Sequence, residues 1–270
     1  MRIRYLNAIV ATAAIAGVAV SQPAIAQNSP ASPGPPPAAT SQATPATAEP
    51  VDRLLRQMSA YIGSAGEFTF HADILFDHVL PSGQKLQYAA AQEVALQRPG
   101  RLYIEYRGDL GDRRFWYDSK TITLFDPATS FYASEAAPAQ IDAMLEKVMK
   151  DLDFSPPLAD FLFKDPYQTV RANVQYGFDL GVTQVNGESC RALGFVEKDI
   201  DWQIWISDGP QLTPCKVVIT YKTQPSQPQF SAVFTEWNVS PRIAEPVFTA
   251  VVPPGTRQIP FETAAATSVK

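Results

Sequence analysis

Two histidines and two cysteines are all the imidazole and thiol chemistry in this 270-residue chain. His71 and His78 stand seven positions apart, and in a regular strand an odd separation puts side chains on opposite faces. They form no metal pair unless a bulge intervenes. His71 is placed to pair with Asp73 on an outer face, and His78 falls on the apolar face near the turn at Pro81, as a satisfied or rim histidine. No HExxH, GxSxG, GxxxxGK[ST] or CxxC run occurs. Asp109, Asp112, Asp199 and Asp201 all fall in predicted turns, where aspartate serves local backbone hydrogen bonds. The chain offers no acid–base or nucleophilic set and reads as a non-enzyme with no catalytic residues, no metal and no cofactor.

Cys190 and Cys215 pull two ways. In an oxidising compartment a lone pair of cysteines implies a disulfide. The strands predicted around them place Cys190 and Cys215 on the outer two of three neighbours. At about 4.8 Å per strand step they lie close to 10 Å apart, beyond the ~7 Å reach of a bridge. The loop 208–213 relaxes that limit, because both cysteines lie near strand ends. The bridge stays open on these arguments.

The elements that position these groups follow from periodicity. Val51, Leu54, Leu55, Met58 and Ile62 lay one apolar stripe on a helix whose first turn suits Pro50. From Glu67 the period changes to two: Phe68, Phe70, Ile74 and Phe76 alternate with polar residues, and Leu86, Tyr88, Val94 and Leu96 continue after the turn at 81–83. Short strands follow around 102–106, 115–118 and 121–125. Ile141, Met144, Leu145, Val148, Met149 and Leu152 then make a helix with Pro138 at its start, and a short apolar helix covers 158–163. Strands resume at 174–185, with Asn186-Gly187 as a hairpin turn, then at 189–197, 202–207, 214–223, 230–239 and 247–252. Strands this numerous with one apolar face curl into an open half-barrel, and the helices are its natural cover. Trp202 and Trp205 must face opposite sides of the sheet. Trp202 belongs to ordinary packing, and an outward Trp205 is the better candidate for a contact site.

The ends carry a different composition. Arg2 and Arg4 precede an uncharged apolar run from Leu6 to Val20, too short for the roughly 20 residues a membrane span needs, and Ala24-Ile25-Ala26 offers small residues for cleavage. Residues 1–26 read as a signal peptide and the mature chain as periplasmic. Gln27 rather than cysteine follows the cut, so no acyl anchor is expected. Residues 27–50 are rich in proline and alanine and read as a disordered tether. Residues 51–261 read as a single β-rich domain and 262–270 as a polar tail. The formal charge is −5 with no Lys/Arg stripe, which argues against nucleic acid as a partner. A monomer that does not span the membrane is expected.

From about residue 52 to 261 the chain resembles a family of predicted periplasmic proteins of unknown function. GQKLQY at 83–88, RPGRL at 98–102, WYDSKTITLFDP at 116–127, PLADFLF at 157–163, DWQIWI at 201–206 and KVVITYK at 216–222 carry the likeness. Ser119 and Cys215 depart from it, standing where glycine and arginine are expected. The first is harmless in a turn, and the second offers Cys190 a partner. The family is similar in fold to the LolA/LolB-like group of lipoprotein carriers. The resemblance implies a mainly β fold with α cover: a curved antiparallel sheet of about eleven strands, the number counted above, with helices capping an apolar cavity. It also implies a protein that works by holding acyl chains. Phe68, Phe70, Phe76, Tyr88, Met144 and Val148 are the candidates to line that cavity, with a lipid or lipoprotein acyl chain as ligand. The alternative is a protein-interaction module, tethered near an envelope complex by residues 27–50, whose cavity is filled by its own side chains. A hydrolase is a distant third. Edman sequencing of periplasmic material is expected to start at Gln27; a start at Met1 contradicts export.

Overall fold

Pro50 sits in the first turn of helix α1 (Glu49–Ser64), where its missing N–H costs nothing, and Glu49 and Asp52 complement the helix dipole. The stripe Val51, Leu55, Met58 and Ile62 is buried, while Arg53 pairs with Glu49 and Arg56 with Asp52 along the wet side. The computed structural model describes residues 47–152 and 156–261. The expected signal peptide, the tether up to residue 46 and the tail 262–270 lie outside the described residues. Two residues read as tether, Glu49 and Pro50, open α1 instead.

Strands β1 (Glu67–Val79), β2 (Lys85–Gln97), β3 (Arg101–Gly108), β4 (Arg113–Tyr117), β5 (Thr121–Asp126) and β6 (Phe131–Ala136) form one antiparallel meander. Helix α2 (Ile141–Asp151), a 3₁₀ turn at Ala159–Phe161 and helix α3 (Pro166–Arg171) follow. The second meander is β7 (Tyr176–Val185), β8 (Glu188–Val196), β9 (Ile200–Ser207), β10 (Pro214–Tyr221) and β11 (Gln229–Asn238). Asn186 and Gly187 both take positive φ at the β7–β8 hairpin, as a two-residue primed turn requires. Antiparallel pairing of β1 with β11 joins the meanders. With the two-residue β12 (Arg257–Gln258) they make one open, curved sheet of twelve strands, ordered β12-β6-β5-β4-β3-β2-β1-β11-β10-β9-β8-β7.

The expected architecture, mainly β with helical cover, is the observed one, with three local corrections. The count is twelve rather than about eleven, because β6 and β12 were not foreseen. No strand forms at 247–252: a 3₁₀ turn at Glu245–Phe248 packs against β3 instead, with Phe248 buried and Glu245 paired to Arg101. Prolines at 246, 253 and 254 remove the donors a ladder needs. Pro138 does not open α2; its carbonyl accepts the Tyr117 hydroxyl, three residues before the helix begins.

The structure joins Cys190 and Cys215, with Cα atoms 6.8 Å apart. The strand-spacing estimate assumed regular ladders. Cys190 pairs with Ser207, the last residue of β9, and Cys215 lies in a register break between Pro214 and Lys216. The bridge therefore crosses where the intervening strand ends. Closing a loop of 25 residues stabilises the fold by roughly 3–4 kcal/mol through the unfolded chain. Thiol titration of the denatured, unreduced protein is expected to find no free thiol, and reduction to lower the unfolding free energy from denaturant titration by that amount.

Candidate functional site

The covered face of the sheet is built by alternation. Phe68, Phe70, Ala72 and Ile74 are buried, and their β2 partners across the ladder are Leu96, Val94, Gln92 and Ala90. Opposite them α1 supplies Leu55, Met58 and Ile62, α2 supplies Met144, Leu145 and Val148, and the 3₁₀ turn supplies Phe161. All belong to one hydrophobic cluster with the strands. Of the six cavity candidates, Phe68, Phe70, Met144 and Val148 are buried within this cluster, and Phe76 packs half-buried at its margin. Tyr88 is half-buried beyond it, its ring 5.8 Å from Phe76 and 6.2 Å from His78.

Sequence reasoning missed Trp237. Its ring lies 4.5 Å from Phe70, 5.8 Å from Phe68 and 5.8 Å from Phe234, and Phe161 completes the group at 5.4 Å from Phe234. Strict alternation on β11 after Phe230, Ala232 and Phe234 puts Glu236 inward. A bulge takes up the extra residue instead: Glu236 adopts φ 56°, and the register shifts by one between Thr235 and Asn238. The apolar position moves from 236 to 237, and the tryptophan turns in. A glutamate on the inward register followed by a tryptophan is the only local signal of this switch.

Polar groups reach the covered face at few points. Gln92 is fully buried; its Nε2 donates to Pro157 O (3.1 Å) and its Oε1 has no partner. Trp202 is buried against Phe195 (4.1 Å, stacked) and donates from Nε1 to Glu197 Oε1 (2.8 Å). Burial pushes the Glu197 carboxyl up, and burial together with Glu197 pushes Asp160 up to about 6. Neither acid was singled out by sequence. Trp205 faces the other side, half-buried beneath the Lys216 ammonium at 5.0 Å, so the expected outward contact residue is already capped. A small pocket of about 20 Å³ lies between Tyr106, Phe115, Leu124 and Pro157, room for about one water.

On the outer face His71 sits between Glu93 (Nδ1 to Oε1, 2.6 Å) and Asp73 (Nε2 to Oδ1, 3.2 Å). The Asp73 pairing was legible from spacing; Glu93 is brought by the β1–β2 register. His78, an odd number of residues away, lies exposed on the opposite side, so the two histidines are not brought together. Among the described residues, Glu188 clusters with Cys190 and Cys215, but disulfide-bonded sulfurs offer no thiolate to a metal. No helix among the described residues is long and apolar enough to cross a membrane.

A wide antiparallel sheet with one apolar face under helices, and an outer face of charged pairs, defines the class. The chain belongs to the DUF2092 family, described as predicted periplasmic protein, whose model matches residues 51–262. None of the curated proteins matches it. Among solved structures it is similar to LprF from Mycobacterium bovis, with 12% identity and a TM-score of 0.45 over 74% of this chain and 99% of that one. The lipoprotein LppX of Mycobacterium tuberculosis gives 11% and 0.40 over 73% and 100%. The LolA superfamily protein NE2245 from Nitrosomonas europaea gives 9% and 0.38 over 74% and 97%. At these identities and scores no function carries across.

Partial burial opposes a charge on His71, but the hydrogen bonds to Glu93 and Asp73 outweigh it and raise its pKa above 6.5. The stabilisation is therefore complete below pH 6.5, the unfolded value, and is lost as pH rises through the higher folded pKa. Because Glu93 and Asp73 are largely exposed, the effect is under about 1 kcal/mol. Denaturant midpoints of wild type and His71→Gln are expected to differ at pH 5.5 and to converge by pH 8.5.

Proposed function

We propose that this protein is a non-catalytic periplasmic carrier, chaperone or sensor that holds an apolar chain, the acyl tail of a lipid or lipoprotein, between the covered face of its sheet and its helices. One observation carries the reading: aromatic side chains of β1 and the Met144, Leu145 and Val148 stripe of α2 meet in a single apolar cluster. Methionine is flexible and polarizable, so a cover bearing Met58, Met144 and Met149 repacks around guests of variable shape. Each acyl CH₂ brought out of water there gains about 0.8 kcal/mol. In this reading residues 1–26 are the export signal, the segment after them is a spacer, and the protein works as a monomer.

The alternative, an interaction module with a filled core, is favoured by the ring contacts of Phe70, Phe234 and Trp237, which occupy part of the same space. Met144→Trp separates the two. If the space takes a ligand, the larger ring is expected to abolish binding of a hydrophobic dye such as N-phenylnaphthylamine and leave the thermal midpoint nearly unchanged. In a filled core it overpacks by about 1–3 kcal/mol and there is no dye binding to lose. Wild-type protein that binds no dye, and carries no added lipid mass in native mass spectrometry, ends the carrier reading.

A further inference from the structure

Arg98 lies in the turn between β2 and β3, its backbone N–H bonded to Gly66 O (2.7 Å). Its half-buried guanidinium carries five donors. Nη2 donates to the carbonyl of Phe163 (2.9 Å), while Nε is buried without a partner. No carboxylate pairs with it among the described residues; Asp142 acts on it only through space. Asp142 is itself engaged, both oxygens accepting the backbone N–H of Lys164 (3.0 and 3.2 Å). Lys164 is engaged too, its ammonium donating to Gly63 O (2.6 Å). A half-buried cation left with spare donors is costly unless an anion completes it.

Arg98 lines a solvent-open pocket of about 690 Å³, the size of an ordinary ligand site. The first turn of α2 forms the facing wall, anchored by Ile141 N–H on Pro99 O (2.9 Å), and its N-cap Gln140 makes no side-chain cap bond. The guanidinium suits a phosphate; at the turn itself Ile141 N–H is already bonded to Pro99 O, and Asp142 and Lys164 line the same pocket. One helical turn on, exposed Glu146 lines the same pocket. A plain anion would be repelled by Glu146, whereas a phosphate joined to an ammonium satisfies both ends. Ile141, also in the wall, belongs to the apolar cluster.

We infer that this pocket receives the zwitterionic headgroup of a phospholipid, its phosphate on Arg98 and its primary ammonium on Glu146. The assignment rests on the acyl-chain reading above and gives that chain its head. Isothermal titration with dihexanoyl phosphatidylethanolamine, dihexanoyl phosphatidylglycerol and inorganic phosphate, below the lipids' micelle concentrations, tests it, with N-phenylnaphthylamine binding measured on the same samples. Arg98→Gln is expected to weaken both lipids about tenfold or more, as loss of a charge-assisted pair implies, and to weaken them more than it weakens N-phenylnaphthylamine. Glu146→Lys, on an exposed position, is expected to reverse the wild-type preference for the ethanolamine lipid over the glycerol lipid. Should Arg98→Gln fail to fold, the Glu146→Lys preference decides alone. Dye binding with no headgroup preference, or a preference unmoved by either variant, overturns the headgroup site and leaves the acyl reading standing. Inorganic phosphate bound as tightly as the lipids overturns the lipid assignment. Loss of dye and lipid binding together in wild type removes both.

Discussion

The described residues between β6 and β7, 137–152 and 156–175, leave the sheet at one and rejoin it at the other, and the rest of the structure depends on that crossing. In strand order those two lie ten steps apart, about 48 Å of sheet at the usual spacing. A chain that must span such a width lies over one face, and the face it takes is the one whose alternating residues are apolar. α1 adds to the cover from the other direction. Its N-terminal end is tied to β7 through Ala48 N–H on Gly177 O, and its C-terminal end runs directly into β1. Neither segment needs a partner outside the chain to bury its stripe, because the sheet supplies one apolar surface for both. The free margin at β6 is closed separately by the C-terminal segment, which docks Phe248 under β3 and adds β12 in parallel.

Much of this was legible because period and face coincide. In β1 and β2 alternation placed Phe68, Phe70, Ile74, Tyr88 and Val94 on one side, and the ladder pairs them accordingly. The stripes of α1 and α2 were read to within two residues of their bounds. What failed did so where tertiary pairing overrode local pattern. The run 247–252 has strand-like residues, but prolines bound it at 246, 253 and 254 and its start closes a 3₁₀ turn. β6, with Ala133, Ser134 and Glu135, has weak strand character of its own and is held by β5 on one side and β12 on the other. Trp237 entered the site through a bulge, and Cys215 reached Cys190 through a register break. Strict period-two reading places neither irregularity, and only the glutamate on the inward register marks the first. Of the six cavity candidates, the two strand positions nearest the helices and both α2 positions fall inside the apolar cluster, while Phe76 and Tyr88 lie at or past its edge, where the cover runs out.

Charge is sorted by the same geometry. On the outer face His71, Glu93, Glu105 and Arg114 follow one another across β1, β2, β3 and β4 at ladder positions, with Arg114 Nε 3.1 Å from Glu105. On the covered face the polar groups are isolated and mostly spent on carbonyls: Gln92 on Pro157, Arg98 on Phe163, Lys164 on Gly63. These three bonds share a function. Each ties a segment of the cover to the element beneath or beside it, and each leaves the segment's apolar residues free of directional constraint.

That division sets the energetics of the cover. Three hydrogen bonds contribute about 1 kcal/mol each in net terms, rather more for the two that are charged. Burial of Met144, Leu145 and Val148 contributes roughly 1.5–3 kcal/mol per side chain, so apolar contact outweighs the latches. Apolar contact is also exchangeable. An acyl segment of about six CH₂ groups offers the sheet close to 5 kcal/mol, comparable with what two of those side chains supply, and it does so without geometric demands. On the proposed carrier reading, a cover held by a few bonds to backbone carbonyls and by side chains that a hydrocarbon can replace in kind would give way to a guest at small net cost. A core held by buried ion pairs or by an unbroken hydrogen-bond network would not.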